Sequence, residues 1–343
     1  MRTAATMYML TNISIGTIMV TSSNSWIMAW LGLELNSFAI LPVISKTKHP
    51  RSIEATTKYF LTQSAASCLI LFASTINAWQ TGTWTITQMP DKLPSTLMLI
   101  ALTMKMGTAP VHLWLPEVMQ GSTLLTGLLI STWQKIAPMV LIFTTSNHSP
   151  SDIALIMGLL STYLGGWGGM NQTHLRKVMA FSSIANMGWT MMTLTSEPKT
   201  SMMNIMLYLL LTTPTFLLLA QTSTKTLQDM TTMWTTSPTA TIMLMLLLLS
   251  MAGLPPLTGF MPKLLILNEL ISQNLTPAAV ATTMASLLSL IFYLRISYLT
   301  SLLTPPNSST STTKWRQNMN NLKMAQITPT AVMSTTTLPT LSP

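Results

Sequence analysis

Long runs of apolar residues, each near the length that crosses a lipid bilayer, follow one another along most of the chain. A spanning helix needs about 20 mainly apolar residues, and on that rule the pattern predicts about eleven transmembrane helices. The predicted fold is therefore all-α and polytopic. The predicted helical cores are residues 4–20, 26–44, 59–79, 97–116, 124–143, 153–170, 178–196, 202–221, 239–272, 277–303 and 324–341.

Two of these runs, the fourth and the ninth, are interrupted by glycine and proline, which predicts broken helices. Helices one to five and six to ten form two sets of five, and an odd number gives the sets opposite orientations, as in transporters with inverted repeats. We expect the repeats at residues 1–145 and 146–303, followed by an inner-side loop and C-terminal helix at 304–343. Broken helices at corresponding positions of two repeats mark a candidate transport site.

Composition agrees with a membrane protein, because only 7% of the 343 residues are charged and 48% are hydrophobic. The net charge of +9 lies in short loops and not on an aromatic-interleaved basic face, so we expect no nucleic-acid partner. With eleven helices, nearly all loop Lys and Arg residues fall on one side, which predicts the N-terminus inside. That side carries Arg2, Lys46, Lys48, Arg51, Lys58, Arg176, Lys177, Lys225, Lys314, Arg316 and Lys323, against Lys92 and Lys199 on the other.

Cysteine and histidine usage argues against metal, haem and disulfide chemistry. Cys68 is the single cysteine, which excludes an internal disulfide and a cysteine-ligated cluster. The four histidines are widely spaced, and none has another at the separation that places two ligands on one helical face. The sequence thus predicts neither a metal site nor a haem.

Four ionisable residues fall near the centres of predicted helices: Glu34, Lys105, Lys135 and Lys263. A charged residue at the bilayer centre costs about 2.5–3.5 kcal/mol on insertion scales, so each is a candidate functional residue. Counting 1.5 Å per residue, Glu34, Lys105 and Lys135 lie roughly 12–17 Å into their helices, near the midplane. Titratable groups at one depth suit a lateral proton relay. Lysine, unlike arginine, can exchange its proton when a neighbouring charge changes.

The hypothesis is that Glu34 holds Lys105 protonated in one state, and that loss of the pairing drives a proton to Lys135 and then Lys263. His112 and Glu117, beyond the first break, either pass protons between bulk water and Lys105 or simply face water at a helix end. A buried lysine can also bond carbonyls freed by a broken helix, which is a structural role. The function classes left open are a subunit of a redox-driven proton pump, a stand-alone cation/proton antiporter and a structural membrane scaffold.

Several segments resemble the antiporter-like membrane subunits of mitochondrial NADH-ubiquinone oxidoreductase, respiratory complex I, in its vertebrate form. The resemblance runs from about residue 26 to residue 298 and is carried by WLGLELN, KYFLTQSAAS, MKMGTAPVHLWLPEV, TGLLISTWQKIAP, GGWGGMNQTHLRKVMAFSSIANMGW, AGLPPLTGFMPK and IFYLRISY. It implies that the family's pathway glutamate is Glu34 and its relay lysines are Lys105, Lys135 and Lys263. The resemblance also implies a histidine in many relatives at the position where this chain has Asn186, so no titrating role is expected there.

The resemblance also implies the cellular setting. It predicts a multi-pass protein of the mitochondrial inner membrane, with its N-terminus on the matrix side and surrounded by the lipid bilayer. The implied partners are other membrane-arm subunits, including neighbouring antiporter-like chains. NADH, FMN, iron-sulfur clusters and ubiquinone are expected in other subunits, so that this chain carries out no redox chemistry and takes its energy from distant electron transfer.

Overall fold

The computed structural model describes residues 2–235, 237–301, 328 and 331–332. This part of the chain is built of α-helices joined by loops, turns and three short 3-10 helices, which confirms the all-α prediction. The helices are α1 (Arg2–Thr21), α2 (Trp26–Ile44), α3 (Pro50–Thr81), α4 (Lys92–Met106), α5 (Trp114–Gly121), α6 (Leu124–Ser131), α7 (Trp133–Thr144), α8 (Ser151–Met170), α9 (Leu175–Met192), α10 (Pro198–Gln221), α11 (Leu227–Thr231), α12 (Pro238–Ala252), α13 (Phe260–Ser272) and α14 (Thr276–Thr300).

Within the described residues, 6 helical segments are long and apolar enough to cross a membrane. They are Trp26–Ile44, Pro50–Thr81, Leu124–Thr144, Ser151–Met170, Pro198–Gln221 and Thr276–Thr300. Two shorter apolar helices, Met7–Thr21 and Pro238–Ala252, accompany them. The protein is thus a multi-pass membrane protein, whereas the total of eleven spans stays a prediction. The predicted helix at 324–341 lies almost wholly outside the described residues.

Both predicted helix breaks are present. In the first, α4 ends at Met106 and Gly107 adopts the left-handed conformation with φ 76° before α5 begins at Trp114. In the second, α12 ends at Ala252 and Gly253 has φ 82° before α13 begins. Glycine reaches this conformation without the steric cost that a Cβ brings, so each break is encoded by its first residue.

A third interruption was not predicted. The apolar run of the fifth predicted helix is divided into α6 and α7 at Thr132, whose φ of −112° and ψ of −73° depart from helical geometry. Its Oγ1 donates a hydrogen bond to the carbonyl of Leu128, 2.7 Å away. Such back-bonding by threonine is associated with helix bending.

The chain divides into two compact units, Met1–Ser161 with Met191–Pro198, and Thr162–Thr190 with Lys199–Pro343. In the first unit, α3 packs against α2, α4 and α5, and α7 packs against α1 and α4. In the second unit, α14 packs against α11, α12 and α13. The repeat boundary expected between residues 145 and 146 stays a prediction.

Among the described residues, each unit has one isolated backbone bridge of the same kind. Ser25 pairs with Thr85 in the first unit, and His174 pairs with Thr226 in the second, both antiparallel. The sequence analysis predicts two sets of five helices. In each set, the bridge joins the start of the second predicted helix to the segment that follows the third. The hydrogen bonds beside the bridges are Trp26 N to Trp84 O and Ile86 N to Asn24 O in one, and Leu175 N to Lys225 O and Leu227 N to Thr173 O in the other. The two units thus share this feature, and the internal repeat itself stays a prediction.

Candidate functional site

Lys105 lies in the last turn of α4, two residues before Gly107, and its side chain is only 6% exposed. Its Nζ has no hydrogen-bond partner among the described residues. Its main-chain carbonyl accepts a hydrogen bond from Nε2 of Gln63, 3.4 Å away on α3. The first helix break therefore buries an ionisable side chain whose terminal nitrogen has no hydrogen-bond partner in the described part of the chain.

Lys135 lies in the first turn of α7, directly after the interruption at Thr132, and is 2% exposed. Lys135 and Lys105 line the same cavity, and this cavity has a free volume of about 10 Å³. That volume is close to what a single water molecule needs. Neutral polar side chains complete much of the wall, including Asn36 and Gln134, whose side chains hydrogen-bond to each other at 2.9 Å. The two predicted relay lysines of the first unit thus share one polar, water-sized space.

Glu34 lines a neighbouring, larger cavity of about 100 Å³ in the same unit. The Ser37 hydroxyl donates to the main-chain carbonyl of Glu34 at 2.9 Å and lies 3.4 Å from its Oε2. The other carboxylate oxygen, Oε1, is buried and has no hydrogen-bond partner in the described part of the chain. The structure therefore brings Glu34, Lys105 and Lys135 together around two cavities of one unit.

Lys263 belongs to the second unit, in the first turn of α13, and is 8% exposed. Its Nζ donates to the carbonyl of Ala252 at 2.7 Å and lies 5.8 Å from the ring centroid of Trp189. Its cavity, of about 10 Å³, contains no carboxylate among the described lining residues. The polar members of that lining are Asn186, Asn204, Tyr208 and Ser250. Lys263 thus bonds a carbonyl at the helix break, as the structural interpretation expects, inside a pocket lined by apolar and neutral polar residues.

His112 and Glu117 occupy different surroundings. His112 is buried between α4 and α5, and its Nδ1 lies 3.2 Å from the carbonyl of Pro110. The side chain of Glu117 is 51% exposed, and its Oε2 lies 2.6 Å from Nζ of Lys58. Lys58 also pairs with Glu54, one turn earlier on α3. The ion pair between Glu117 and Lys58 therefore links α5 to α3. This exposed position favours a role for Glu117 at the surface over a role in the buried cavities.

The sequence interpretation missed the neutral polar residues that surround the charges. Ser37, Tyr59 and Gln63 line both the Glu34 cavity and the lysine cavity. A signal was available, because an amide within an apolar spanning run is costly unless it is hydrogen-bonded. Gln63 and Gln134 are such amides. Their partners, however, lie on other helices and could not be found from local pattern.

Comparison with known proteins assigns the family. The NADH:quinone oxidoreductase/Mrp antiporter transmembrane family matches residues 23–289, and the C-terminal family of NADH dehydrogenase subunit 2 matches residues 290–343. NADH-ubiquinone oxidoreductase chain 2 of Salmo salar is 49% identical over 90% of this chain and 89% of its own length. The chain 2 protein of Gallus gallus is also 49% identical, over 96% of this chain and 94% of its own.

Solved structures show the same fold at lower sequence identity. A chain of respiratory complex I from Thermus thermophilus superposes with a TM-score of 0.87 at 22% identity, covering 98% of this chain and 79% of that one. A chain of the Mrp complex from Dietzia sp. DQ12-45-1b gives 0.80 at 17% identity, covering 88% and 62%. The sequence-based resemblance is confirmed: the chain belongs to the NADH-ubiquinone oxidoreductase chain 2 family, within the NADH:quinone oxidoreductase/Mrp antiporter membrane proteins.

Proposed function

We propose that this chain is an antiporter-like core subunit of a proton-pumping NADH:ubiquinone oxidoreductase, and that it moves protons across the mitochondrial inner membrane. The observation that carries the proposal is the cavity shared by Lys105 and Lys135, beside the cavity that holds Glu34. Names of the relatives support membership of an oxidoreductase complex. We assign NADH, FMN, iron-sulfur and ubiquinone chemistry to other subunits, so this chain contributes proton transfer and no redox step.

The proposed chemistry is proton exchange between a carboxylate and lysines. When Glu34 is ionised and close, its charge favours the ammonium form of Lys105. When that attraction weakens, burial favours the neutral amine, and the proton passes to water in the cavity and on to the amine of Lys135. Lys263 serves as the corresponding group of the second unit. His112, buried at the first break, is the proposed connection between Lys105 and bulk water.

The proposed partners follow from the same family assignment. We propose that the chain assembles with other membrane-arm subunits, among them neighbouring antiporter-like chains, within the lipid bilayer and with its N-terminus on the matrix side. Complex I and Mrp assemblies that contain chains of this fold support an assembly of membrane subunits.

Specific observations favour two other function classes, a stand-alone cation/proton antiporter and a structural scaffold. The family that matches residues 23–289 includes Mrp antiporters, and this match is the observation for a stand-alone cation/proton antiporter. Such an antiporter would transport in liposomes by itself, whereas a subunit of a redox-driven pump would be inert alone. The bond from Lys263 to Ala252 favours a structural scaffold. A scaffold would keep full proton pumping after its buried lysines are neutralised.

The decisive experiment measures protons pumped per NADH oxidised in the reconstituted, assembled enzyme carrying Lys105→Ala. The matched control is Lys92→Ala, because Lys92 is an exposed lysine in the first turn of the same helix. We expect Lys105→Ala to lower the pumping ratio and Lys92→Ala to leave it at the wild-type value. Unchanged pumping and turnover in assembled Lys105→Ala enzyme would overturn the relay and support the scaffold.

A further inference from the structure

The cavity lined by Glu34 and the cavity lined by Lys105 and Lys135 share three lining residues, which we call the wall. Ser37, Tyr59 and Gln63 line both of them. Among the described residues, the Oε1 atom of Glu34 and the Nζ atom of Lys105 are each buried without a hydrogen-bond partner. The Oε1 atom of Glu34 and the Nζ atom of Lys105 therefore make no direct hydrogen bond to each other. In the proposed relay, the residues that line both cavities are those that a proton meets between Glu34 and Lys105.

Gln63 ties this wall to the end of α4. Its Nε2 donates to the carbonyl of Lys105, which lies in the last turn of the helix. The last carbonyls of a helix have no partner within the helix, so the amide supplies the bond that the break removes. An amide offers two donors and an acceptor, so it can hold a water molecule while keeping that bond.

Tyr59 ties the same wall to the beginning of α5. Its ring is almost fully buried and packs edge-on against the ring of Trp114, with centroids 5.7 Å apart. Trp114 is the first residue of α5. The wall is thus in contact with both half-helices of the first break, one through Gln63 and the other through Tyr59. A displacement at the break would change the hydrogen-bonding groups that face the two cavities.

We infer that Gln63, together with Tyr59 and Ser37, forms a polar gate that controls proton passage between Glu34 and Lys105. This inference rests on the proposed function. In the open arrangement, the Glu34 carboxyl gives its proton to water held at the gate, and the neutral Lys105 amine takes a proton from that water. A carboxylate and an ammonium result, and the water is regenerated. Gln63 is a positioning residue, since it orients the water and gains no proton itself.

The competing interpretation is that Gln63 only caps α4. Capping alone would lower stability or assembly when lost, but it would leave the number of protons per NADH unchanged. The test therefore uses Gln63→Leu in the assembled enzyme in proteoliposomes, with protons pumped and NADH oxidised measured together. The matched control is Asn77→Leu, because Asn77 is a buried amide of the same helix that also donates to a main-chain carbonyl, that of Gln88. Asn77 is not part of either cavity lining.

We expect Gln63→Leu to slow proton-coupled turnover by about tenfold, equivalent to about 1.4 kcal/mol in the barrier. We also expect it to lower the pumping ratio, while Asn77→Leu pumps normally. If Lys105→Ala abolishes pumping and Gln63→Leu does not change it, the gate is wrong and the proposed function stands. If neither variant changes pumping, the gate and the proposed function are both wrong.

Tyr59→Phe keeps the test decisive if Gln63→Leu fails to assemble. It removes only the hydroxyl and keeps the ring that packs against Trp114. We expect this variant to assemble and to pump fewer protons per NADH. A wild-type ratio in assembled Tyr59→Phe enzyme would overturn the gate.

Discussion

Lys263 donates a hydrogen bond from Nζ to the carbonyl of Ala252, 2.7 Å away, across the break between α12 and α13. The ammonium form has three N–H donors, and a neutral amine still has two. The bond to Ala252 can therefore persist after Lys263 gives up a proton. A structural role at the helix break and a proposed role in proton transfer are compatible in one side chain.

Arginine and methionine at position 263 separate these two roles. Arginine keeps a positively charged donor but cannot exchange its proton, so we expect Lys263→Arg to assemble and to lose proton pumping. Methionine removes the donor and leaves the Ala252 carbonyl unsatisfied, which costs about 1–3 kcal/mol. We expect Lys263→Met to lose both pumping and thermal stability. Thermal inactivation and protons per NADH measure the two effects, and normal pumping by Lys263→Arg would contradict the proton-transfer role.

Gly253→Ala tests whether the second break positions Lys263. A Cβ at Gly253 would lie 2.9 Å from Cδ and Nζ of Lys263, and the residue has positive φ. The matched control is Gly82→Ala, since Gly82 also has positive φ but would have nothing within 4 Å of its Cβ. The backbone cost of about 1–2 kcal/mol applies to both. Both variants are therefore expected to lose stability. We expect Gly253→Ala, and not Gly82→Ala, also to reduce the number of protons pumped per NADH in the assembled enzyme.

Equal effects of the two alanine variants on pumping would mean that crowding of Lys263 has no consequence. A gain in pumping by Gly253→Ala would equally contradict the prediction.

The helices and the two predicted breaks could be found from sequence because local rules encode them. Apolar runs are long enough to span, and Gly107 and Gly253 begin the breaks. The charged candidates were found because their burial is costly. Local rules could not place Gln63 beside the carbonyl of Lys105, which is 42 positions away in sequence. That contact depends on how α3 and α4 pack.

Other features have even weaker local signals. The interruption at Thr132 contains neither glycine nor proline, and it lies where one threonine departs from ideal helical dihedral angles. The bridges of Ser25 with Thr85 and of His174 with Thr226 each involve too few residues for a strand pattern. They are also a likeness between the two units that the sequence did not reveal at the level of residues.

Glu117→Gln distinguishes the two roles that the sequence leaves open for this acid. The exposed carboxylate contacts Lys58, so we expect the variant to assemble with little loss of stability, as for other surface ion pairs. We also expect unchanged protons per NADH, because this contact lies outside both cavities. Reduced pumping in fully assembled Glu117→Gln enzyme would instead make Glu117 a proton entry group.

Glu34→Gln tests the acid of the proposed relay. Glutamine keeps the size of the side chain and removes its charge, so in the proposed relay the charge that favours the ammonium form of Lys105 is lost. We expect a lower pumping ratio with assembly intact. The control is Glu54→Gln in the same unit, because Glu54 is exposed and pairs with Lys58. Loss of assembly in Glu34→Gln alone would point to a structural role for the acid.

A double-mutant cycle asks whether Glu34 and Lys105 act as a pair. Residues that act on one step are non-additive, whereas independent sites give effects that add in free energy. If the acid works by controlling the proton on Lys105, it has no function once that amine is gone. We therefore expect Glu34→Gln combined with Lys105→Ala to pump no worse than Lys105→Ala alone. If the double variant instead lowers the pumping rate by the product of the two single effects, Glu34 and Lys105 act in separate steps. The proposed pairing of Glu34 with Lys105 would then be wrong.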